Sequence, residues 1–242
     1  MIQILDWDSQ FFGHRIGRIT QDFLDEPSLV AINQFVEVNQ LECVYFLSQL
    51  DNDVTVQLAE RENFHLVDLR ITLHIPNLNA LEFPEPNLPI EDAGVADIPA
   101  LRLIAAENHT LSRFFTDTHF PRPKCRELYA TWVEKAVRDP NTRVFTWRAG
   151  GEACAYVTAK ICPESCGEID LVGVAPQYQG RGLGPQLIVQ ALRYFQHQKI
   201  NRVTTVTQGR NAHALKLYQK CGFSIASIAL WYHKWFFYKE ER

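Results

Sequence analysis

Apolar and polar positions alternate at changing periods along this chain, and the changes mark its elements. Ile2 to Trp7 begins extended, Asp8 to Gly13 reads as a turn, and Ile16 to Ile19 resumes as a short strand. Apolar Val30, Ile32, Phe35 and Val36 then recur at helical spacing within Leu29 to Leu41. Val44 to Leu47 is the unbroken apolar run of a buried strand. Val54 to Glu62 predicts a helix stopped at Asn63, and Phe64 to Ile75 a long strand.

Pro76, Pro84, Pro86 and Pro89 punctuate the next stretch. Proline donates no backbone hydrogen bond and fixes its own φ, so this stretch reads as a linker. The boundary placed there gives an α/β domain over residues 1–85 and a second domain over 88–242. The second opens with a strand near Ile90 and continues with helices from about Ala96 to Asn108 and Lys124 to Arg138. The latter carries Leu128, Trp132, Val133 and Val137 on one face. Val144 to Arg148, a Gly150-Gly151 turn and Glu152 to Ile161 predict a hairpin. Ile169 to Val174 predicts a strand, Leu187 to Phe195 a helix, Val203 to Thr207 a strand and Asn211 to Cys221 a helix. Gly222 follows as its left-handed C′ residue, and strands Phe223 to Ala229 and Leu230 to Tyr238 close the pattern.

The chemistry concentrates between the Ile169 strand and the Leu187 helix, in Gln177-Tyr-Gln-Gly-Arg-Gly-Leu-Gly184. Strand, glycine-rich turn and helix start together form a setting for phosphate. Glycines turn backbone N–H groups inward, and the helix start adds partial positive charge. The spacing matches neither G-x-G-x-x-G nor G-x-x-x-x-G-K-[S/T]. A plain glycine-rich turn is the alternative reading.

Gln179-x-x-Gly182-x-Gly184 resembles the Q/R-x-x-G-x-G/A pattern of the GNAT N-acetyltransferases, and the element order from about residue 88 resembles theirs. The resemblance implies an α/β fold with a mixed, splayed central sheet flanked by helices. It implies acetyl-CoA as co-substrate, its pyrophosphate wrapped by Gln179, Gly180, Arg181, Gly182, Leu183 and Gly184. Its pantetheine arm would lie along the backbone of Leu171, Val172, Gly173 and Val174. Asn211 and Ala214 fall where the family also contacts the coenzyme, although Asn211 equally suits a helix N-cap. Tyr218 falls where many members protonate the leaving thiolate; a core aromatic is the alternative.

Leu5-Asp-Trp-Asp-Ser-Gln-Phe-Phe-Gly13, Ser112-Arg-Phe-Phe-Thr-Asp-Thr-His-Phe-Pro121, Leu128 to Val133 and Ala229 to Tyr232 are similar to segments of TDP-fucosamine acetyltransferases. That likeness implies acetyl transfer to the 4-amine of a TDP-linked amino-dideoxy sugar for a surface polysaccharide. It places Asp68 where that family has a glutamate considered as general base. Arg113, His119 and Arg122 lie in the loop between the first two helices of the second domain, where some of them would pair with the sugar nucleotide's diphosphate; solvated surface charge is the alternative.

Leu58 to Leu66 also resembles Leu217 to Ile225. The first domain then reads as a degenerate half of the same fold, without a glycine motif and so without a coenzyme site; an ordinary helix-to-strand join that happens to look alike is the alternative.

Composition narrows the partners. With Lys+Arg 24 against Asp+Glu 28, the net charge of −4 argues against a nucleic-acid partner or an anionic membrane. No apolar run is long enough to span a bilayer and the N-terminus lacks a basic signal-peptide start, so the expected location is cytoplasmic. The Cys162–Cys166 pair has no second pair at zinc spacing, so no metal is expected. Trp231, Trp235, Phe236 and Phe237 could stack on a sugar or base, fill a core or form a homodimer seam.

Overall fold

A computed structural model describes residues 2–163 and 165–237. Two compact units emerge. One comprises residues 1–70, 112–124 and 228–242, the other residues 71–111 and 125–227.

The first unit contains β1 (Ile2–Ile4), α1 (Asp6–Phe12), β2 (Ile16–Ile19), α2 (Glu26–Asn39), β3 (Cys43–Gln49) and α3 (Asp53–Arg61). It also takes the start of β4 (His65–Ile75). The expected turn at Asp8 to Gly13 is instead α1. Asp6 and Asp8 complement its dipole, and Gly13 at φ 79 closes it by donating to Ser9 O at 2.9 Å. α2 begins earlier than its apolar spacing suggested, because Asp25 and Ser28 form a capping box. Leu29, Ile32 and Val36 are buried along α2, whereas Val30 is 58% exposed and so leaves the expected face. These residues pack with Ile19, Val44, Phe46 and Tyr232 into one core.

The second unit contains β5 (Ile90–Asp92), α4 (Ile98–Asn108), β6 (Thr142–Ala149), β7 (Glu152–Cys162), β8 (Cys166–Ile169), β9 (Val172–Val174), α7 (Leu183–His197), β10 (Arg202–Gln208) and α8 (Ala212–Lys220). Between α4 and β6 run α5 (Arg113–Thr116), in the first unit, and α6 (Arg122–Arg138), most of which is in the second. Strands β10, β8, β7, β6 and β5 lie side by side in that order, and β9 pairs with β7. Gly150 and Gly151, at φ 61 and 87, make the expected tight turn between β6 and β7. The proline-rich segment forms only one 3-10 turn, at Leu78–Ala80. It is nonetheless anchored within this unit: Leu78 N donates to Asn201 O at 2.7 Å, and Gln196 Nε2 donates to Leu78 O and Leu81 O.

Two expected strands at the C-terminus are one, β11 (Ser224–Trp235), because no turn residue interrupts the run. Tyr238, the expected end of that segment, lies outside the described residues. The expected Ile169 to Val174 strand is two. Leu171 donates its N–H to Thr158 Oγ1 and accepts from Thr158 N–H, both at 2.9 Å, so the chain stays on β7, which pairs with both β8 and β9, while its pairing with β10 ends at β8.

The suspected repeat is a structural correspondence with one constant spacing. β3 and β10 each have seven residues, and α3 and α8 each have nine. Asn52 and Asn211 cap the two helices through side chains that accept from the N–H three residues on. Asn63 at φ 59 and Gly222 at φ 92 end them. Phe64 N and Phe223 N then donate back to Ala59 O and Tyr218 O. At that spacing the first unit carries Ala59 in place of Tyr218, and Thr20-Gln-Asp-Phe-Leu-Asp25 in place of the glycine-rich turn. The acidic Asp22 and Asp25 suit that copy poorly for an anion.

Candidate active site

Sheet pairing opens at one point in the second unit. β8 and β10 run parallel as far as Ile169 and Thr205; beyond that pair, β9 keeps register with β7 instead. A fork therefore forms, with Asp170 and Leu171 at its apex. Gly173 is required there: a Cβ would lie 2.6 Å from Tyr156 Cε1.

The glycine-rich turn follows β9. Gly180 and Gly182 both have φ +77, and an added Cβ would meet nothing within 4 Å at either. The conformation thus demands glycine, while the space around it stays open, a concavity of backbone suited to a pyrophosphate. Gly182 is the N-cap of α7 and makes no side-chain cap hydrogen bond. Gln179 Nε2 donates to Val174 O at 3.0 Å, tying the turn to β9. Arg181 donates to Gln177 O at 3.1 Å and stands over the Tyr178 ring. Leu183 is buried beneath the turn, and a Cβ at Gly184 would touch Leu217 at 3.4 Å. Of the residues expected to offer backbone groups to the coenzyme arm, Leu171 and Val174 have partners: Thr158 for the first, and Asn108 Oδ1 and Gln179 for the second.

Tyr218 hangs at the fork. It is 4% exposed and shares a hydrogen bond with Thr205, whose hydroxyl donates to Ile169 O at 2.8 Å. Burial pushes the phenol up to about 12, with the Thr205 bond opposing. Asn211 serves as the cap of α8, accepting from Ala214 N at 3.1 Å.

The other predicted residues lie in the first unit. Asp68 is buried, and its Oδ1 accepts from Leu69 N at 2.9 Å. The Arg113 guanidinium is boxed by Tyr45, Phe114 and Trp231 at 4.1–4.3 Å and lies 2.8 Å from His233 Nε2. His119 bonds Asp117 at 2.8 Å and stacks on Trp235. Arg122 lies over Phe115. Asp117 also accepts from Trp235 Nε1, and its carboxylate is held well below the usual range by His233, Trp235 and His119 against a desolvation cost. Sequence reasoning missed this network because its parts lie about 115 positions apart along the chain, a separation pattern reading does not bridge. It also missed Asn108, whose Oδ1 accepts from Val174 N at 3.2 Å, and His109, whose Nε2 lies 3.0 Å from the Tyr156 hydroxyl.

Among the described residues no His, Cys, Asp and Glu cluster could hold a metal ion, and no helix is long and apolar enough to cross a membrane.

A forked sheet, an uncapped helix behind glycines and a phenol at the fork define a class, the acyl-CoA-dependent transferases. Residues 105–223 match the acetyltransferase (GNAT) family, so the chain carries a GNAT acetyltransferase domain. Over 96% of its length it is 27% identical to the dTDP-fucosamine acetyltransferase of Escherichia coli, of which it covers 97%. It is also 27% identical, over 57% of its length, to the spore coat polysaccharide biosynthesis protein SpsD of Bacillus subtilis, and spans about half (48%) of that protein. A mycothiol acetyltransferase of Pseudarthrobacter chlorophenolicus is 33% identical over 39% of the chain, which covers 31% of that relative. In structure the fold resembles a GCN5-related N-acetyltransferase from Sphaerobacter thermophilus, with TM-score 0.69, 14% identity and coverage of 97% of this chain and 76% of that one. A tandem GNAT protein from the clavulanic acid biosynthesis pathway has TM-score 0.62 at 13% identity, with coverage of 94% and 77%.

Proposed function

We propose that the chain transfers an acetyl group from acetyl-CoA to the amine of a nucleotide-linked amino-dideoxy sugar of the dTDP-4-amino-4,6-dideoxyhexose type, for a surface polysaccharide, in the cytoplasm. The observation that carries the reading is a buried, protonated phenol at the point where β8 and β10 part, beside a turn whose two glycines keep an open concavity. The near full-length likeness to a dTDP-fucosamine acetyltransferase supports the acceptor.

Acetyl-CoA, when bound, supplies the activated thioester. Residues Gln179 to Gly184 hold its pyrophosphate through backbone N–H groups and the start of α7. Tyr218, kept protonated by burial, gives its proton to the departing thiolate. Arg113, His119 and Arg122 are assigned to the acceptor's diphosphate, and Asp68 to proton removal through water, both on the strength of the family resemblance.

The test is thiol release from acetyl-CoA with TDP-, UDP- and GDP-amino sugars set against short peptides and small amines. Release that depends on the TDP-amino sugar is expected. Release with peptides or small amines alone would favour a second reading, a small-amine or protein N-terminal acetyltransferase.

A further inference from the structure

One face of the first unit's sheet gathers two cations around a single indole. Arg18 on β2 pairs in register with Tyr45 on β3, and Tyr45 pairs with His233 on β11. Side chains at paired positions share a sheet face, and Trp231, two residues before His233, shares it too. The guanidinium carbon of Arg113 lies 4.3 Å from the centre of the Trp231 ring, and that of Arg18 lies 5.2 Å from it. Among the described residues, neither guanidinium has a carboxylate within ion-pair distance.

Arg113 is held without being neutralised. Tyr45, Phe114 and Trp231 attract the cation, but aromatic rings supply none of the oxygen acceptors that its N–H groups take. Among the described residues its side-chain hydrogen bond goes to His233 Nε2, at 2.8 Å. A guanidinium only donates, so Nε2 accepts and the ring proton sits on Nδ1, 2.6 Å from Asp117 Oδ2. Asp117 is committed in turn to Trp235 Nε1 at 2.8 Å and His119 N at 3.0 Å. A neutral imidazole thus fixes the direction of Arg113 and leaves its remaining N–H groups for a ligand.

We propose that Arg18 joins Arg113 in holding the diphosphate of the nucleotide sugar, both guanidiniums standing at the Trp231 indole. The assignment rests on the acceptor reading above and adds to it a second arginine and the platform the two share. Each guanidinium can grip two phosphate oxygens at once, and a diphosphate has oxygens enough for both. Solvent reaches Arg18, as a ligand must. Burial first, then the charges of Arg113 and Arg70, lower the Arg18 guanidinium from the ordinary arginine range, with Asp8 opposing. The crowding of like charges works against the fold and in favour of an anionic ligand.

The test measures dTDP binding to the full chain by calorimetry, with dTMP, inorganic pyrophosphate and acetyl-CoA as comparisons. dTDP should bind more tightly than dTMP. Arg18→Gln should weaken dTDP binding about 10- to 100-fold, the worth of a charge-assisted hydrogen bond. Acetyl-CoA carries a pyrophosphate of its own, and its affinity should not move. Inorganic pyrophosphate should lose affinity in the same proportion as dTDP; a loss confined to dTDP would place Arg18 on the nucleoside and overturn the assignment. Arg18→Lys keeps the charge but not the fork, so it should fall between Gln and wild type, and it carries the test if the Gln variant fails to fold. With dTDP-4-amino-4,6-dideoxygalactose as substrate, the KM of Arg18→Gln should rise far more than kcat falls. Its thermal midpoint should hold or rise, because a crowded cation is gone. An arginine that merely packs on Trp231 would lower the midpoint and leave dTDP affinity intact, and that pattern overturns the assignment. So does a loss of acetyl-CoA affinity in place of dTDP affinity; in each case the transferase reading stands. A wild type that binds no dTDP and releases thiol with small amines but with no nucleotide sugar brings down the acceptor reading itself.

Discussion

Replacing Tyr218 with phenylalanine separates the phenol's proton from its packing. The ring is 4% exposed and stays in contact with Phe223, so the aromatic volume is kept. What is lost is the bond shared with Thr205, a cost of about 1 kcal/mol at neutral pH. The proton also couples stability to pH. An unfolded tyrosine ionises near pH 10, whereas the buried one waits until about 12. The folded form is thus favoured fully below pH 10, and its advantage drains away as pH rises toward the folded value. A shift of that size corresponds to about 3 kcal/mol over the whole interval, of which about 1 kcal/mol is gone by pH 11. Chemical denaturation should therefore find wild type the more stable by about 1 kcal/mol at pH 8 and the two proteins equal near pH 11. Turnover should fall about 100- to 10,000-fold, the range general acid catalysis supplies, with acetyl-CoA affinity unchanged by calorimetry. Parallel stability curves for the two proteins up to pH 11 would mean that the phenol is not buried as described. Unchanged turnover would remove Tyr218 from the chemistry.

Three further outcomes follow from the same geometry. Gly182→Ala forces a side chain into φ +77, which costs about 1 kcal/mol and places a methyl in the open turn; the KM for acetyl-CoA should rise about 10-fold with little change in melting temperature. Gly173→Ala drives a Cβ to 2.6 Å from the fully buried Tyr156 ring, so it should cost about 1–3 kcal/mol, read as a lower thermal midpoint. Burial holds both His109 and His233 neutral, each down to about 4, so stability is full above the ordinary histidine value near 6.5 and is lost as pH falls toward 4. Each should contribute roughly 3 kcal/mol to that loss, and His109→Asn should visibly flatten the slope in denaturation curves taken from pH 7 to pH 4.

The reach of sequence reading here depended on how local the determining physics is. The α3 and α8 helices were legible, because Asn63 and Gly222 end them by their own backbone preferences. The glycine turn was legible because its conformation belongs to its residues. The fork was expected only through the GNAT resemblance, which implies a splayed sheet beside Leu171 to Val174; the residues themselves read as one strand, and the step between β8 and β9, where Thr158 meets Leu171 across the sheet, was not legible in them. Helix α1, with seven residues, is too short for apolar periodicity to distinguish from a turn. Arg113 was read as a partner of the acceptor's diphosphate or as solvated charge, and only the fold brings Tyr45 and Trp231 to its faces.

Two copies of a strand–helix–strand template in one polypeptide raise a sorting question while the chain collapses, since a segment from either copy meets a partner of matching length and similar caps. The divergence between them supplies an answer. Asp22 and Asp25 in one copy and the left-handed Gly180 and Gly182 in the other give the two connections different backbone demands. The residues that differ between the copies thus also tell the two halves apart as the chain folds.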